Sequence, residues 1–139
     1  MRIRAFSEGD TERVVALWEA CGLLRPWNDP RRDILRKLTE QRELFLVGEI
    51  DGRIMATVMA GYDGHRGWLN YLAVDPSEQR RGWGRLLVEH VAGLLAERGC
   101  PKLSLQVRAG NEAAVAFYRR LGFQVDDVVS MGRRLIADD

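Results

Sequence analysis

The sequence has no long apolar run, few cysteines and almost no excess charge. None of its apolar stretches approaches the roughly 20 residues that a membrane-spanning helix needs, and its first ten residues lack the apolar core of a signal peptide. Its two cysteines, Cys21 and Cys100, stand far apart and form no CxxC pair. We therefore expect a soluble cytoplasmic protein without a disulfide and without a membrane partner.

The charge balance excludes whole classes of partner. The chain carries 21 basic and 20 acidic residues, a net charge of +1, so no overall field would gather nucleic acid or an anionic membrane surface. Any bound anion must be held locally. His65 and His90 are isolated and the cysteines are not at ligand spacing, so we expect no metal site.

The length and apolar content suit one α/β domain over residues 1–139. With 139 residues, 46% of them hydrophobic, the chain can bury a single core, and it has no repeat or linker. The Asp51-Gly52 pair predicts a two-residue hairpin turn. The predicted elements are a strand at 3–6, helices near 14–21 and 31–40, strands at 43–50, 53–60 and 68–74, a long helix ended by Gly99, a strand at 103–107, a helix at 112–121, and strands at 123–125 and 128–135.

The segment from Leu72 to Val88 predicts a buried strand, a basic turn with glycines and an amphipathic helix. Gly82 and Gly84 allow close backbone approach, and the first amides of the helix have no internal partner. Arginines add full charge to the helix dipole at this point. The turn therefore suits a phosphate-bearing ligand. It lacks the Lys-Ser/Thr of a Walker loop and the third glycine of a dinucleotide fingerprint.

Two motifs resemble the GCN5-related N-acetyltransferase (GNAT) family. Gln79-Arg-Arg-Gly-Trp-Gly84 is similar to the family's Gln/Arg-x-x-Gly-x-Gly/Ala turn, and Asn111 to Phe123 is similar to its Asn...Phe-Tyr-x-x-Leu-Gly-Phe segment. The resemblance implies a mixed, mostly antiparallel sheet of six to seven strands with helices on both faces. Segments 24–30, 61–67 and 100–102 further resemble a bacterial subgroup, the YpeA-like acetyltransferases.

The resemblance implies acetyl-CoA as cosubstrate and a set of residues that would hold it. The turn would meet the pyrophosphate, and the strand before it would pair with the pantetheine arm through its backbone. Asn111 would meet that arm further along, although it is also a candidate helix N-cap. The implied binding positions are Leu72, Ala73, Val74, Gln79, Arg80, Arg81, Gly82, Trp83, Gly84, Arg85, Asn111 and Tyr118.

Tyr118 is the candidate catalytic residue, because it matches the family's tyrosine near the acetyl-CoA sulfur. A phenol there could protonate the departing thiolate while a neutral amine attacks the thioester directly. Neither cysteine has a nucleophile signature. No base is assigned: Trp68 and Asn70 occupy the obvious strand positions, and Glu49, Asp63 and His65 are more typical of surface or turn residues.

The acceptor surface is expected in the connector at 25–30 and the loop at 61–67. These segments offer stacking, hydrogen-bonding and charged groups. The candidates are Trp27, Asn28, Tyr62, Asp63, His65 and Asn70. The acceptor would be a small-molecule amine or a protein N-terminus or lysine. The rival interpretation is a non-catalytic acyl-CoA-binding module. A homodimer is one of the oligomeric states that the sequence allows.

Overall fold

The computed structural model describes residues 1–138, which fall into two compact units. The first holds residues 1–105 together with Asp138, and the second holds residues 106–137. Each unit is described by itself.

The first unit contains five strands and three α-helices joined by short turns. In chain order they are β1 (Arg2–Ala5), α1 (Thr11–Ala20), α2 (Pro30–Lys37), β2 (Phe45–Ile50), β3 (Arg53–Tyr62), β4 (Gly67–Val74), α3 (Trp83–Glu97) and β5 (Leu103–Leu105). The strands form one sheet in the order β1-β2-β3-β4-β5. All neighbours are antiparallel except β4 and β5, which are parallel. The predicted mixed, mostly antiparallel sheet is confirmed.

The turn between β2 and β3 is the predicted two-residue hairpin. Asp51 has φ 53° and Gly52 has φ 75°, so both central residues occupy the left-handed region that a twisted hairpin requires. This local signal fixes the register of two central strands. The side chains of β2 and β3 then alternate between two buried faces.

Helices cover both faces of the sheet. On one face, α1 and α2 enclose a core built around fully buried Trp18, which stacks on Phe45 at 6.2 Å between ring centroids. On the other face, α3 contacts β3 and β4. A Cβ placed on Gly67 would lie 2.8 Å from Leu95 Cδ1, so that glycine lets the helix approach the sheet. Along residues 1–138, no helix combines the length and apolar character required to span a bilayer.

The second unit contains α4 (Glu112–Arg120) and a long irregular segment. The prediction of strands at 123–125 and 128–135 is wrong, because residues 123–137 form no strand, and the sheet has five strands rather than six to seven. A strand needs a partner edge that pattern alone does not reveal. Large apolar side chains of this segment are exposed, with Val129 at 87% and Met131 at 91%.

Candidate functional site

A β-bulge interrupts β4 at Tyr71 and Leu72. Thr57 pairs with Ala73 and Met59 pairs with Asn70, so Val58 of β3 stands opposite two residues of β4. Tyr71 has φ 51°, in the left-handed region that costs a non-glycine residue about 1–2 kcal/mol. Before the bulge, the even-numbered residues of β4 direct their backbone groups toward β3. After it, the odd-numbered residues do so.

Two hydrogen bonds on either side of the bulge demonstrate this reversal. Before it, the odd-numbered Gly67 directs its N–H toward the β5 side, where it donates to Lys102 O at 2.8 Å. After it, the odd-numbered Asp75 directs its N–H toward β3 and donates to Met55 O at 2.8 Å. The backbone groups of Leu72 and Val74 therefore face away from β3.

On that side, the part of β4 after Leu69 has no neighbouring strand among residues 1–138. The pairing of β4 with β5 ends at Leu69 and Leu105, so β4 continues for five residues beyond the last pair. The bulge thus presents the N–H and C=O groups of Leu72 and the N–H of Val74 along an unpaired edge. This open edge is the geometry that an extended, amide-containing ligand needs in order to add as a strand.

The carbonyl of Val74 meets two side chains. Gln79 Nε2 donates to it at 3.0 Å, and the thiol of Cys21 donates to it at 3.3 Å. The first contact joins the end of the open edge to the basic turn. Burial and the nearby Asp75 carboxylate raise the pKa of the Cys21 thiol, which disfavours the thiolate that nucleophilic catalysis needs.

The basic turn is shaped by local contacts between β4 and α3. The Asp75 carboxylate accepts hydrogen bonds from Ser77 N at 3.0 Å and Ser77 Oγ at 2.8 Å, which closes a short 3₁₀ turn at Pro76–Glu78. Arg80 then has φ 67° and Gly82 has φ 85°. These two left-handed positions, with Arg81 between them, reverse the chain sharply into α3.

The start of α3 is suited to an anion. Gly82 is the N-cap and provides no side-chain cap, and the first turn contains no acidic residue. Because the first intrahelical bond runs from Leu86 N to Gly82 O, the amides of residues 83–85 have no partner within the helix. Arg80, Arg81 and Arg85 are exposed around this end. The chemistry of these donors fits the phosphates of a coenzyme.

Glu78 balances part of this charge. Its Oε2 accepts from Trp83 Nε1 at 3.3 Å and lies 3.4 Å from Arg81 NH1. Trp83 is therefore held within the turn by its indole nitrogen. Arg80 and Arg85 have no ion pair of this kind among the bridges between described residues.

In the second unit, α4 is fixed at both ends. Asn111 Oδ1 accepts from Ala114 N at 3.1 Å, an N-cap. At the other end, Phe123 N donates to Tyr118 O at 3.1 Å and Gly122 N donates to Arg119 O at 3.0 Å. With Gly122 at φ 92°, these two bonds make a Schellman motif.

The Schellman motif also fixes the ring of Tyr118. The ring packs edge-on against Phe123 at 5.5 Å and against Phe117 at 5.0 Å between centroids. This contact explains why the segment needs a glycine followed by an aromatic residue. Burial raises the pKa of Tyr118 to about 12, so the phenol is neutral and able to donate a proton at physiological pH.

The N-cap yields a first prediction. Replacement of Asn111 by Ala should lower the free energy of unfolding by about 1 kcal/mol, because Ala114 N loses its partner. Asn111→Asp retains the accepting oxygen and should leave stability within about 0.5 kcal/mol of wild type. Urea denaturation followed by circular dichroism measures both, and equal losses in the two variants would contradict the capping role.

The connector before α2 is a compact turn. Asn28 N donates to Arg25 O at 3.1 Å, and Asp29 caps α2 through bonds from Arg31 N at 2.9 Å and Arg32 N at 3.3 Å. Trp27 is 48% exposed. Of the two candidates predicted here, the indole of Trp27 is thus the more open to solvent.

The loop at 61–67 is held chiefly by Asp63. Its Oδ1 accepts from His65 N at 2.8 Å and Arg66 N at 2.7 Å, and its Oδ2 accepts from Trp68 Nε1 at 3.3 Å. The two backbone donors keep the pKa of Asp63 below its ordinary value. Its carboxylate therefore orders the turn, while His65 and Asn70 are exposed.

Helix α2 separates the two predicted acceptor segments. The connector precedes its first residue, whereas Lys37, its last, donates to Ala60 O beside the loop. Eight helical residues span about 12 Å, so the two segments lie at opposite ends of α2 rather than side by side. Tyr62 backbone groups are held at the loop end by the Gln41 amide, at 2.7 Å and 2.9 Å.

Sequence reasoning missed the residues that hold the bulge. Thr57 Oγ1 donates to Tyr71 O at 2.9 Å, and the Tyr71 hydroxyl donates to Asp33 Oδ2 at 2.6 Å. A lone hydroxyl within the apolar run of β3 was the available signal. Within residues 1–138, no group of three or more His, Cys, Asp or Glu side chains could hold a metal ion.

Comparison with known proteins gives a family. The model of the acetyltransferase (GNAT) family matches residues 11–123. A protein of Yersinia enterocolitica named acetyltransferase is 49% identical over 138 residues, covering 99% of this chain and 98% of the relative.

Solved structures agree in fold. Ard1 from Thermoplasma volcanium matches with a TM-score of 0.78 and 26% identity over 90% of this chain and 83% of that chain. The ribosomal-protein-S18-alanine N-acetyltransferase from Escherichia coli matches with a TM-score of 0.73 and 28% identity over 88% of this chain and 77% of that chain.

Proposed function

The chain belongs to the acetyltransferase (GNAT) family, and we propose that it moves an acetyl group from acetyl-CoA to a primary amine by direct transfer. The observation that carries the proposal is the open edge of β4, which runs into the basic turn at the start of α3. The edge of β4 would align the pantetheine amides, and the basic turn would neutralise the phosphates. Their order along the chain follows the order of these groups in the coenzyme.

The backbone of Leu72 and the N–H of Val74 would pair with the pantetheine arm as an added strand, while Gln79 and Cys21 hold the Val74 carbonyl. The amides of residues 83–85 would bind the pyrophosphate, and Arg80, Arg81 and Arg85 would supply the charge. Asn111 would donate through Nδ2, because its Oδ1 already caps α4. These contacts would hold the acetyl group at a fixed place for attack.

The chemical step needs three contributions from the protein. An amide of the bulged strand would polarise the thioester carbonyl as negative charge develops on its oxygen. Tyr118 would donate its phenolic proton to the departing thiolate. The C–N bond forms as the C–S bond breaks, and the amine proton leaves to water or to a base in the acceptor region.

The acceptor class rests on the exposed groups near α2. We propose a small-molecule amine or a protein N-terminus or lysine. The Escherichia coli neighbour is named for an alanine of a ribosomal protein, which supports a protein acceptor. An α-amino group, with a pKa of about 8, is partly neutral near pH 7 and lessens the need for a strong base.

Calorimetry with acetyl-CoA, followed by thiol release against amines and peptides, tests the proposal. We expect binding, and thiol release that depends on the acceptor. The panel should pair each peptide with its N-terminally blocked form, so that α-amino and lysine acceptors are distinguished. Binding without release for any acceptor would favour the acyl-CoA-binding module, and absence of binding would refute the coenzyme site.

A further inference from the structure

Thr57 places a hydroxyl in the apolar core between α1 and the sheet. Thr57 is fully buried. Among residues 1–138, Asp138 is the only other polar residue that is buried. A buried hydroxyl is costly unless both of its hydrogen-bonding functions are used. The partners of this hydroxyl therefore indicate what it does.

The hydroxyl joins α1 to the bulge of β4. Trp18 Nε1 donates to Thr57 Oγ1 at 2.9 Å, and Thr57 Oγ1 lies 2.9 Å from Tyr71 O. Because the indole nitrogen can only donate, the hydroxyl accepts from Trp18 and directs its own proton to the Tyr71 carbonyl. The three groups form a directed chain, which we call the Trp18–Thr57–Tyr71 relay.

The relay acts on a strained residue. Tyr71 holds φ 51°, and a bulged residue of this kind loses its regular ladder partner. Its ring stacks on Trp18 at 3.8 Å between centroids, and its hydroxyl donates to Asp33. Ring, hydroxyl and carbonyl are thus each held by a different residue, and only the contact from Thr57 acts directly on the backbone.

We propose that Thr57 is a positioning residue that holds the bulge of β4 so that the Leu72 amide faces the open edge. The inference rests on the proposed function, because the open edge is where the thioester and pantetheine would lie. Thr57 touches no substrate. Its hydroxyl fixes the peptide unit after Tyr71, and that unit carries the Leu72 N–H.

The geometry connects this carbonyl directly with the amide. The Tyr71 carbonyl and the Leu72 N–H belong to the same planar peptide unit, so a hydrogen bond to the oxygen sets the direction of the N–H on its opposite side. Loss of the bond would let this unit rotate. A donor that polarises a developing oxyanion must be aimed within narrow limits, so turnover should suffer more than coenzyme binding.

Thr57→Val tests the relay, because valine keeps the shape and loses the hydroxyl. We expect kcat to fall about ten- to a hundredfold while the Kd for acetyl-CoA stays within about threefold, since the basic turn is untouched. Thr57→Ser, which retains the hydroxyl, should recover most of the lost kcat. Val14→Ala, a core truncation one helical turn before Trp18 that keeps all three hydrogen-bonding groups of the relay, is the matched control for lost packing.

Backbone amide exchange provides a readout that needs no activity. In Thr57→Val, exchange at Ala73 and Asp75, the residues after the bulge whose N–H groups face β3, should accelerate about tenfold or more relative to Val14→Ala. The inference is overturned if these amides exchange alike in the two variants, or if Thr57→Ser loses as much kcat as Thr57→Val. If the wild-type protein released no thiol, the proposed function would fail, and the exchange comparison would still decide the positioning role.

Trp18→Phe offers a second test if Thr57→Val does not fold. Phenylalanine keeps a ring against Tyr71 and removes the indole donor together with the volume of the second ring. Thr57 can still bind the carbonyl. We expect kcat to stay within about tenfold of that of Val14→Ala, with exchange at Asp75 close to that of the same control. A fall in kcat beyond that range, or faster exchange at Asp75, would contradict the direction of the relay.

Discussion

Gly82→Asp should raise the Kd for acetyl-CoA by about 100-fold or more, which corresponds to about 3 kcal/mol. Gly82 is the N-cap of α3 at φ 85°, and a Cβ built there meets no atom within 4 Å. The added side chain therefore has room in the protein itself. What it changes is the charge at the end of the helix where phosphate would approach.

Gly82→Asn is the matched control. Asparagine has nearly the shape of aspartate and tolerates the left-handed conformation, but it carries no charge. We expect its Kd to rise by less than about tenfold, from the loss of glycine's conformational freedom and from added bulk. The ratio between the two variants then isolates electrostatic repulsion.

Salt provides the internal check on this ratio. Repulsion between an exposed carboxylate and phosphates weakens as ionic strength rises, so the two Kd values should converge between low and high salt. Calorimetry at two salt concentrations measures this. Equal affinities of Gly82→Asp and Gly82→Asn at low salt would place the phosphates somewhere other than the turn.

Features encoded by neighbouring residues could be predicted from the sequence. The Asp51-Gly52 hairpin, the glycine turn before α3 and the Asn111 cap each depend on a few adjacent residues. Their conformations follow from backbone sterics and short-range hydrogen bonds. The class of fold and the basic end of α3 were therefore accessible without coordinates.

Features that depend on distant partners could not be predicted from the sequence. The bulge at Tyr71 needs Thr57, 14 residues away, and Trp18, 39 residues from Thr57. The apolar residues after Phe123 predicted strands, yet this segment forms none. In both cases the outcome is decided by which backbone edge is available, and a one-dimensional pattern does not contain that information.

The acceptor region contains features set by neighbouring residues and features set by distant ones. The turn residues of the loop at 61–67 were recognisable, but the three bonds that occupy Asp63 became visible only in three dimensions. The separation of this loop from the connector by the length of α2 also became visible only in three dimensions. An acceptor that contacted both segments would therefore have to be extended.

Tyr118→Phe should lower kcat by about 100-fold and change the Kd for acetyl-CoA by less than about threefold, since general acid catalysis contributes on this scale. Phenylalanine keeps the ring contacts with Phe117 and Phe123, at 5.0 and 5.5 Å between centroids, and removes only the hydroxyl. Single-turnover thiol release measures the step. Tyr118→Leu, which also loses the edge-on packing, should in addition lower stability, and this separates the two contributions of the side chain.

The pH dependence of kcat tests the assignment of Tyr118 as the proton donor. Burial raises the pKa of Tyr118 from 10.0 to about 12, so the phenol stays protonated, and able to donate, as pH rises through neutrality. Tyr118 should therefore cause no fall in kcat below about pH 10, and any rise at lower pH reports deprotonation of the amine instead. Wild type and Tyr118→Phe should then have kcat profiles of the same shape, displaced by a constant factor. A basic fall near pH 8–9 that disappears in Tyr118→Phe would contradict a buried, neutral phenol as the proton donor.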